Sequence, residues 1–209
     1  MDREGRIDAA IREVADWAGR DVLDIGCGTG FHLPGFAASA RTVVGVEPHL
    51  PLLRLAQRRT SRLTGVTVLP GSAAELPLPP ASVDVAHARW AYFFGPGCEP
   101  GLAELDRVVR RGGAAVVVDV DATSSTFGRW FRAAYPTVDP ATVEGFWSAH
   151  GWTRTPLLLE WRFDRRADLE AVVRIEFDRD TAEKILAEHR SSGGGTEVEY
   201  AVNVWSREY

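Results

Sequence analysis

Nine residues, Val22-Leu23-Asp24-Ile25-Gly26-Cys27-Gly28-Thr29-Gly30, constrain this chain more than any others. Val22, Leu23 and Ile25 form an apolar run suited to a short buried strand, and glycines follow it at every second position, 26, 28 and 30. A strand that ends in glycines and hands over to a helix from Phe31 brings bare backbone up to a ligand. A Cβ would block that approach, and such turns call for positive φ angles. The dinucleotide fingerprint has its third glycine three positions after the second. Here that position is Phe31, and the third glycine comes early, at Gly30. The resulting G-x-G-x-G loop suits a nucleoside that brings no pyrophosphate.

Helical and strand patterns alternate on either side of this loop. Ile7, Ala10, Ile11, Val14 and Trp17 recur at helical spacing, predicting an amphipathic helix over residues 6–18 with Gly19 as its stop. Residues 42–47 read as the second strand, and Pro48 opens a helix with Leu52, Leu53 and Ala56 inward. Val66–Leu69 is a third strand, residues 82–90 a fourth, and Ala114–Val120 a fifth. The fifth is almost wholly apolar, as expected of a strand covered on both faces. It follows a helix through Leu102, Leu105, Val108 and Val109 that is closed by Arg110-Arg111-Gly112-Gly113. This alternation implies a doubly wound parallel sheet. Beyond residue 120 the expected helices are 121–134, 140–150 (Asp139 as N-cap, Pro140 at N1), 167–177 and 181–190. Residues 152–163 and 197–206 are the last two strands.

Glu47 ends the second strand 19 residues beyond Gly28, where an acidic side chain can accept both hydrogen bonds of a ribose diol. With the loop in place, that role outweighs a merely solvated strand end. The segment Gly71-Ser72-Ala73-Ala74-Glu75-Leu76-Pro77 follows the third strand, and Ser82-Val83-Asp84 opens the fourth.

Taken together, the motif Asp24-x-Gly26-x-Gly28-x-Gly30, the strand-end Glu47, the loop at 71–77 and the Arg110–Gly113 stretch before the fifth strand resemble the class I S-adenosylmethionine-dependent methyltransferases. The resemblance covers roughly residues 20–120. It implies a Rossmann-like α/β fold: seven strands, mostly parallel with an antiparallel last strand, and helices on both faces. It implies a single domain over 1–209, with a cofactor-binding half at 1–120. The half at 121–209 would add a helical cover on the substrate side and the last two strands. S-adenosylmethionine is the implied cofactor and S-adenosylhomocysteine its product. The implied cofactor contacts are Asp24, Gly26, Cys27, Gly28, Gly30, Glu47, Pro48, Ser72, Ala73, Ala88 and Arg89. Ser72 departs from the acid common at its position, and a hydroxyl accepts from an adenine amino group less strongly than a carboxylate. Because ligands in such sheets sit beyond the carboxyl ends of the strands, Trp90, Tyr92, Phe93 and Trp130 are the expected substrate-pocket residues. The implied reaction is in-line displacement, in which holding both reactants in geometry supplies most of the rate. It needs no metal. A hydroxyl acceptor would gain from a general base, for which His87 and His32 are the candidates.

The net charge of −5 over 209 residues disfavours a phosphate-backbone partner and favours a small-molecule acceptor. Two distant cysteines, Cys27 and Cys98, predict a reducing, cytoplasmic setting. The charged N-terminus shows no signal-peptide pattern, and no run is long and apolar enough for a membrane span. A monomer or homodimer is expected. Two other readings stand beside a small-molecule enzyme. One is a non-catalytic sensor or partner subunit that binds S-adenosylmethionine, and the other is a methyltransferase acting on nucleic acid or protein.

Overall fold

The computed structural model describes residues 4–92 and 95–209, and Phe93 lies outside them. It places β1 (Asp21–Ile25) between β2 (Thr42–Glu47) and β4 (Val83–Arg89), parallel to both. β3 (Val66–Pro70) extends the sheet beyond β2, and β5 (Val109–Val120) extends it beyond β4, again in parallel. β7 (Glu197–Glu208) then runs antiparallel between β5 and the edge strand β6 (Thr153–Arg162). The order β3-β2-β1-β4-β5-β7-β6 reverses its direction of winding between β1 and β4. That reversal opens a crevice at the carboxyl ends of these two strands.

Helices cover both faces. α1 (Arg6–Val14), α2 (Leu33–Ala37) and α3 (Leu50–Thr60) are joined on one face by α5 (Thr126–Ala134), α7 (Arg166–Glu176) and α8 (Arg179–Ser191). α4 (Glu99–Val108) and α6 (Pro140–Ala149) pack on the other. Strand alternation feeds the two layers: Val22, Val116 and Val118 pack on the first, and Leu23, Ile25 and Val117 on the second. β1 and β5 are therefore apolar on both sides. Among the described residues no helix is long and apolar enough to cross a membrane.

The amino ends of the central strands are pinned by ionic contacts. Arg110 donates to Asp21 at 2.9 Å and to Asp84 at 2.7 Å, while Arg41 Nε donates to Asp21 at 2.8 Å. These guanidinium contacts hold the Asp21 carboxyl well below the usual range. The carboxyl ends are thereby left as the open side of the sheet.

Several boundaries differ from the sequence expectation. α1 stops at Val14, not 18, because the chain leaves the helix to pack Trp17 edge-on against Phe36, with Arg12 over the indole. α5 begins at Thr126, not 121, since Ser125 Oγ caps it by accepting the Gly128 N–H at 3.0 Å. Asp121 turns instead to Arg154, which donates to it at 2.9 Å. Arg110–Gly113 do not close a helix but lie within β5, which begins at Val109. The Asp139 cap and Pro140 start of α6 are as expected.

Candidate functional site

The glycine loop hangs from β2. The Gly26 and Cys27 N–H groups both donate to the Val46 carbonyl, at 2.8 and 3.0 Å. Gly26, Gly28 and Gly30 all have positive φ. A Cβ on Gly30 would press on Ala56 at 3.0 Å, and one on Gly26 would meet Ala91 at 2.9 Å. At Gly28 a Cβ would find nothing within 4 Å. Gly26 and Gly30 therefore let protein pack on protein, and Gly28 leaves bare backbone facing open space.

Glu47 crosses from β2 to this loop. Its Oε2 accepts the Gly28 N–H and its Oε1 the His49 N–H, each at 2.9 Å, although the residue is only 5 % exposed. Each carboxylate oxygen can accept twice, so one lone pair on each remains. Glu47 lines a cleft of about 250 Å³ together with Ile25, Gly26, Pro48, Ala73, Trp90 and Ala91. The crevice between β1 and β4 is thus a cleft walled by the ends of β1, β2 and β4 and by the loop after β3.

Two further cavities flank this cleft. One of about 320 Å³ shares Ala73 and Ala91 with it and is lined by Tyr92, Cys98 and Gly101. The other, about 220 Å³, shares Trp90 and lies among Asp119, Phe127, Phe131, Tyr135, Glu176 and Phe177. Trp90 stands between cleft and cavity with φ 57°, a left-handed backbone that tryptophan seldom adopts. Its side chain lies beside Tyr200. A separate groove of about 320 Å³ on the edge strand β6 shares no residue with these three.

Beneath the loop lies a buried polar chain. His87 Nδ1 donates to Asp24 Oδ1 at 2.7 Å, and Arg89 Nε donates to His87 Nε2 at 2.9 Å. Arg89 also pairs with Asp8 of α1. Asp24 Oδ2 is buried and has no hydrogen-bond partner among the described residues.

The structure thus brings Gly26, Glu47, Pro48 and Ala73 together on the cleft, with the Gly28 backbone at its loop. Other expected contacts fall elsewhere. Ala88 is wholly buried in β4, and the Cys27 thiol is turned inward against Gly45, where burial pushes it up to about 12. Ser72 closes a small turn with Glu75 and does not line the cleft. Arg89 braces α1 and His87.

His87 does not have the geometry of a general base. It is 1 % exposed, and both ring nitrogens are already engaged. His32 lies edge-on to it, half-buried, and desolvation lowers its pKa to about 4. A base that weak is poorly matched to neutral pH. Tyr92 is 2 % exposed and lines the cavity on the Ala73 side, not the Trp90 side. Trp130 is also buried, edge-on to His189. Phe127, Phe131 and Tyr135 face the cavity beyond Trp90 in its place. Their i, i+4, i+8 spacing puts them on one helical stripe, which Trp130 misses by one residue. That spacing was present in the sequence. The carboxylates Asp119 and Glu176 carried no comparable signal.

Residues 23–117 match the model of a methyltransferase domain family. An uncharacterized methyltransferase of Geobacillus thermodenitrificans is 28 % identical over 141 residues, 66 % of this chain and 62 % of its own length. A ubiquinone/menaquinone biosynthesis C-methyltransferase of Rubrivivax gelatinosus is 30 % identical over 125 residues, 60 % of this chain and 47 % of its own. The chain therefore spans less than two thirds of the length of these curated relatives. The crystal structure of the YcgJ protein from Bacillus subtilis superposes with a TM-score of 0.72 at 18 % identity, over 98 % of this chain and 97 % of that one. A SAM-dependent methyltransferase from Aquifex aeolicus gives 0.59 at 17 % identity, over 98 % and 93 %. At these identities the likeness is one of fold.

Proposed function

We propose, from the match of residues 23–117 to a methyltransferase domain family, that this protein is a class I S-adenosylmethionine-dependent methyltransferase that methylates O, N or C of a small molecule. The observation that carries the reading is Glu47. It lines the cleft, pins Gly28 through one oxygen, and keeps a lone pair on each oxygen for the two hydroxyls of a ribose.

The remaining groups fit the same ligand. The bare backbone at Gly28 gives an adenosyl group room, and Ala73 on the cleft wall supports an adenine contact there. When bound, S-adenosylmethionine supplies a methyl group already activated by its sulfonium. The chain's own part is then to hold the acceptor in line and exclude water, which accounts for most of the barrier reduction in such transfers. This reading takes residues 1–209 as one domain. Cys27 and Cys98 are both free thiols, which supports a reducing, cytoplasmic setting. A monomer or homodimer is the expected state, to be read by sedimentation.

Calorimetry tests the assignment. S-adenosylmethionine or S-adenosylhomocysteine should bind at micromolar strength and nicotinamide dinucleotides far more weakly; the reverse ranking overturns it. Labelled methyl incorporation into small-molecule pools then identifies the acceptor.

A further inference from the structure

We propose that the acceptor is a small amine, held as its cation by the aromatic cage next to the cofactor cleft and presented to the methyl group past Trp90. The proposal rests on the methyltransferase reading above and names the substrate class of that site.

The cage has five rings, Trp90, Phe127, Phe131, Tyr135 and Phe177, around a cavity of about 220 Å³. They come from the residue after β4, from α5 and the residue after it, and from the residue after α7. The rings brace one another, with Phe127 against Phe177 at 5.6 Å and Phe131 against Tyr135 at 4.8 Å. Aromatic faces carry negative potential, and several around one cavity attract a cation.

Two carboxylates, Asp119 and Glu176, line the same space, and among the described residues no lysine, arginine or histidine does. Asp119 is only 4 % exposed. Glu176 is exposed along much of its surface, yet burial at its carboxyl raises its pKa. The neighbouring cation, Arg89, is engaged with Asp8 and His87. A neutral acceptor would gain little from two carboxylates and an anionic one would be repelled, whereas an ammonium ion matches rings and charges together. Among the described residues the cavity and the cleft share Trp90 alone, so an amine in the cage would reach the methyl group past that side chain.

The chemistry balances as follows. A primary or secondary ammonium ion first gives one proton to Glu176, which releases it to water. The freed nitrogen lone pair forms the bond to the methyl carbon. The carbon–sulfur bond breaks with its electron pair moving to sulfur, leaving a neutral thioether. The positive charge passes to the methylated nitrogen, so one proton is released for each methyl transferred.

The test is calorimetry on the full chain saturated with S-adenosylhomocysteine, using 2-phenylethylamine, 2-phenylethanol and 3-phenylpropionate as probes of similar size. The amine should bind about ten-fold more tightly than the alcohol, and the carboxylate should not bind. Glu176→Gln should weaken the amine about ten-fold and leave the alcohol and S-adenosylhomocysteine within two-fold. Tyr135→Ala, at a partly exposed ring, should weaken amine and alcohol together. Absent amine binding, alcohol or carboxylate binding as tight as the amine, or indifference of the amine to both Glu176→Gln and Asp119→Asn overturns the proposal. If S-adenosylhomocysteine itself does not bind, the methyltransferase reading fails, and this proposal fails with it.

Discussion

Glu47 Oε2 accepts the Gly28 N–H at 2.9 Å, so the side chain that ends one strand fixes the backbone of the loop that ends its neighbour. The strand-end acid and the glycine loop are therefore one unit, and either part altered changes the cleft.

Glu47→Ala removes the ribose acceptor and the loop's anchor together. Affinity for S-adenosylhomocysteine should fall by about 1.5–3 kcal/mol, the scale of a hydrogen bond to a charged group. Glu47→Gln, which keeps an acceptor oxygen, should lose less. Calorimetry on folded variants reads both, and an unchanged affinity in the alanine variant removes Glu47 from the ribose.

Gly28 has φ 56° and open space where a Cβ would stand. Gly28→Ala should lower stability by about 1–2 kcal/mol through the left-handed backbone alone. It should also weaken the cofactor, because the added methyl enters the cradle. Denaturation and calorimetry separate the two effects, and full affinity in this variant would place the ligand elsewhere.

His87 and Asp24 share a hydrogen bond of 2.7 Å in a region almost closed to water. His87→Ala leaves both Asp24 oxygens buried and unpartnered. Stability should fall by about 1–3 kcal/mol, the cost of leaving a buried acceptor without its hydrogen bond. Urea unfolding measures it. A variant of native stability that has lost only turnover would instead return His87 to the chemistry.

His32 gives a pH dependence whose sign follows from its burial. Its folded pKa is lowered to about 4 from an ordinary 6.5, so the folded state favours the neutral ring. That contribution is complete above pH ~6.5 and is lost as pH falls from there toward ~4. With partial exposure discounted, the loss should be about 1–2 kcal/mol. The ion pairs of Asp21 and Asp84 also weaken in acid, but below the ordinary carboxylate range, since both pKa values are lowered. His32→Gln should flatten stability between pH 4 and 6.5. A variant that still loses stability there assigns the effect to another group.

Much of the fold was legible because it depends on short-range pattern. The Thr42–Glu47 strand, the Asp139 cap and the G-x-G-x-G loop are set by residues that are near neighbours in the chain, and each is where the pattern predicts. Positions in doubt from pattern alone were those decided by distant partners. Trp17 continues the helical spacing of α1, yet it leaves the helix because Phe36 offers a better-packed surface. Arg89 looks available for a ligand until α1 brings up Asp8.

The site divides in the same way. By itself the sequence determined the loop, its glycines and the acid one strand over, because backbone freedom and strand-end position are local properties. Only the tertiary structure decided that His87 lies sealed beneath Asp24, and that Phe131 and Tyr135 rather than Trp130 face the cavity with Asp119 and Glu176. Burial and facing depend on how separate elements cross, and residues 63 positions apart, such as Asp24 and His87, carry no mark of each other until the chain has folded.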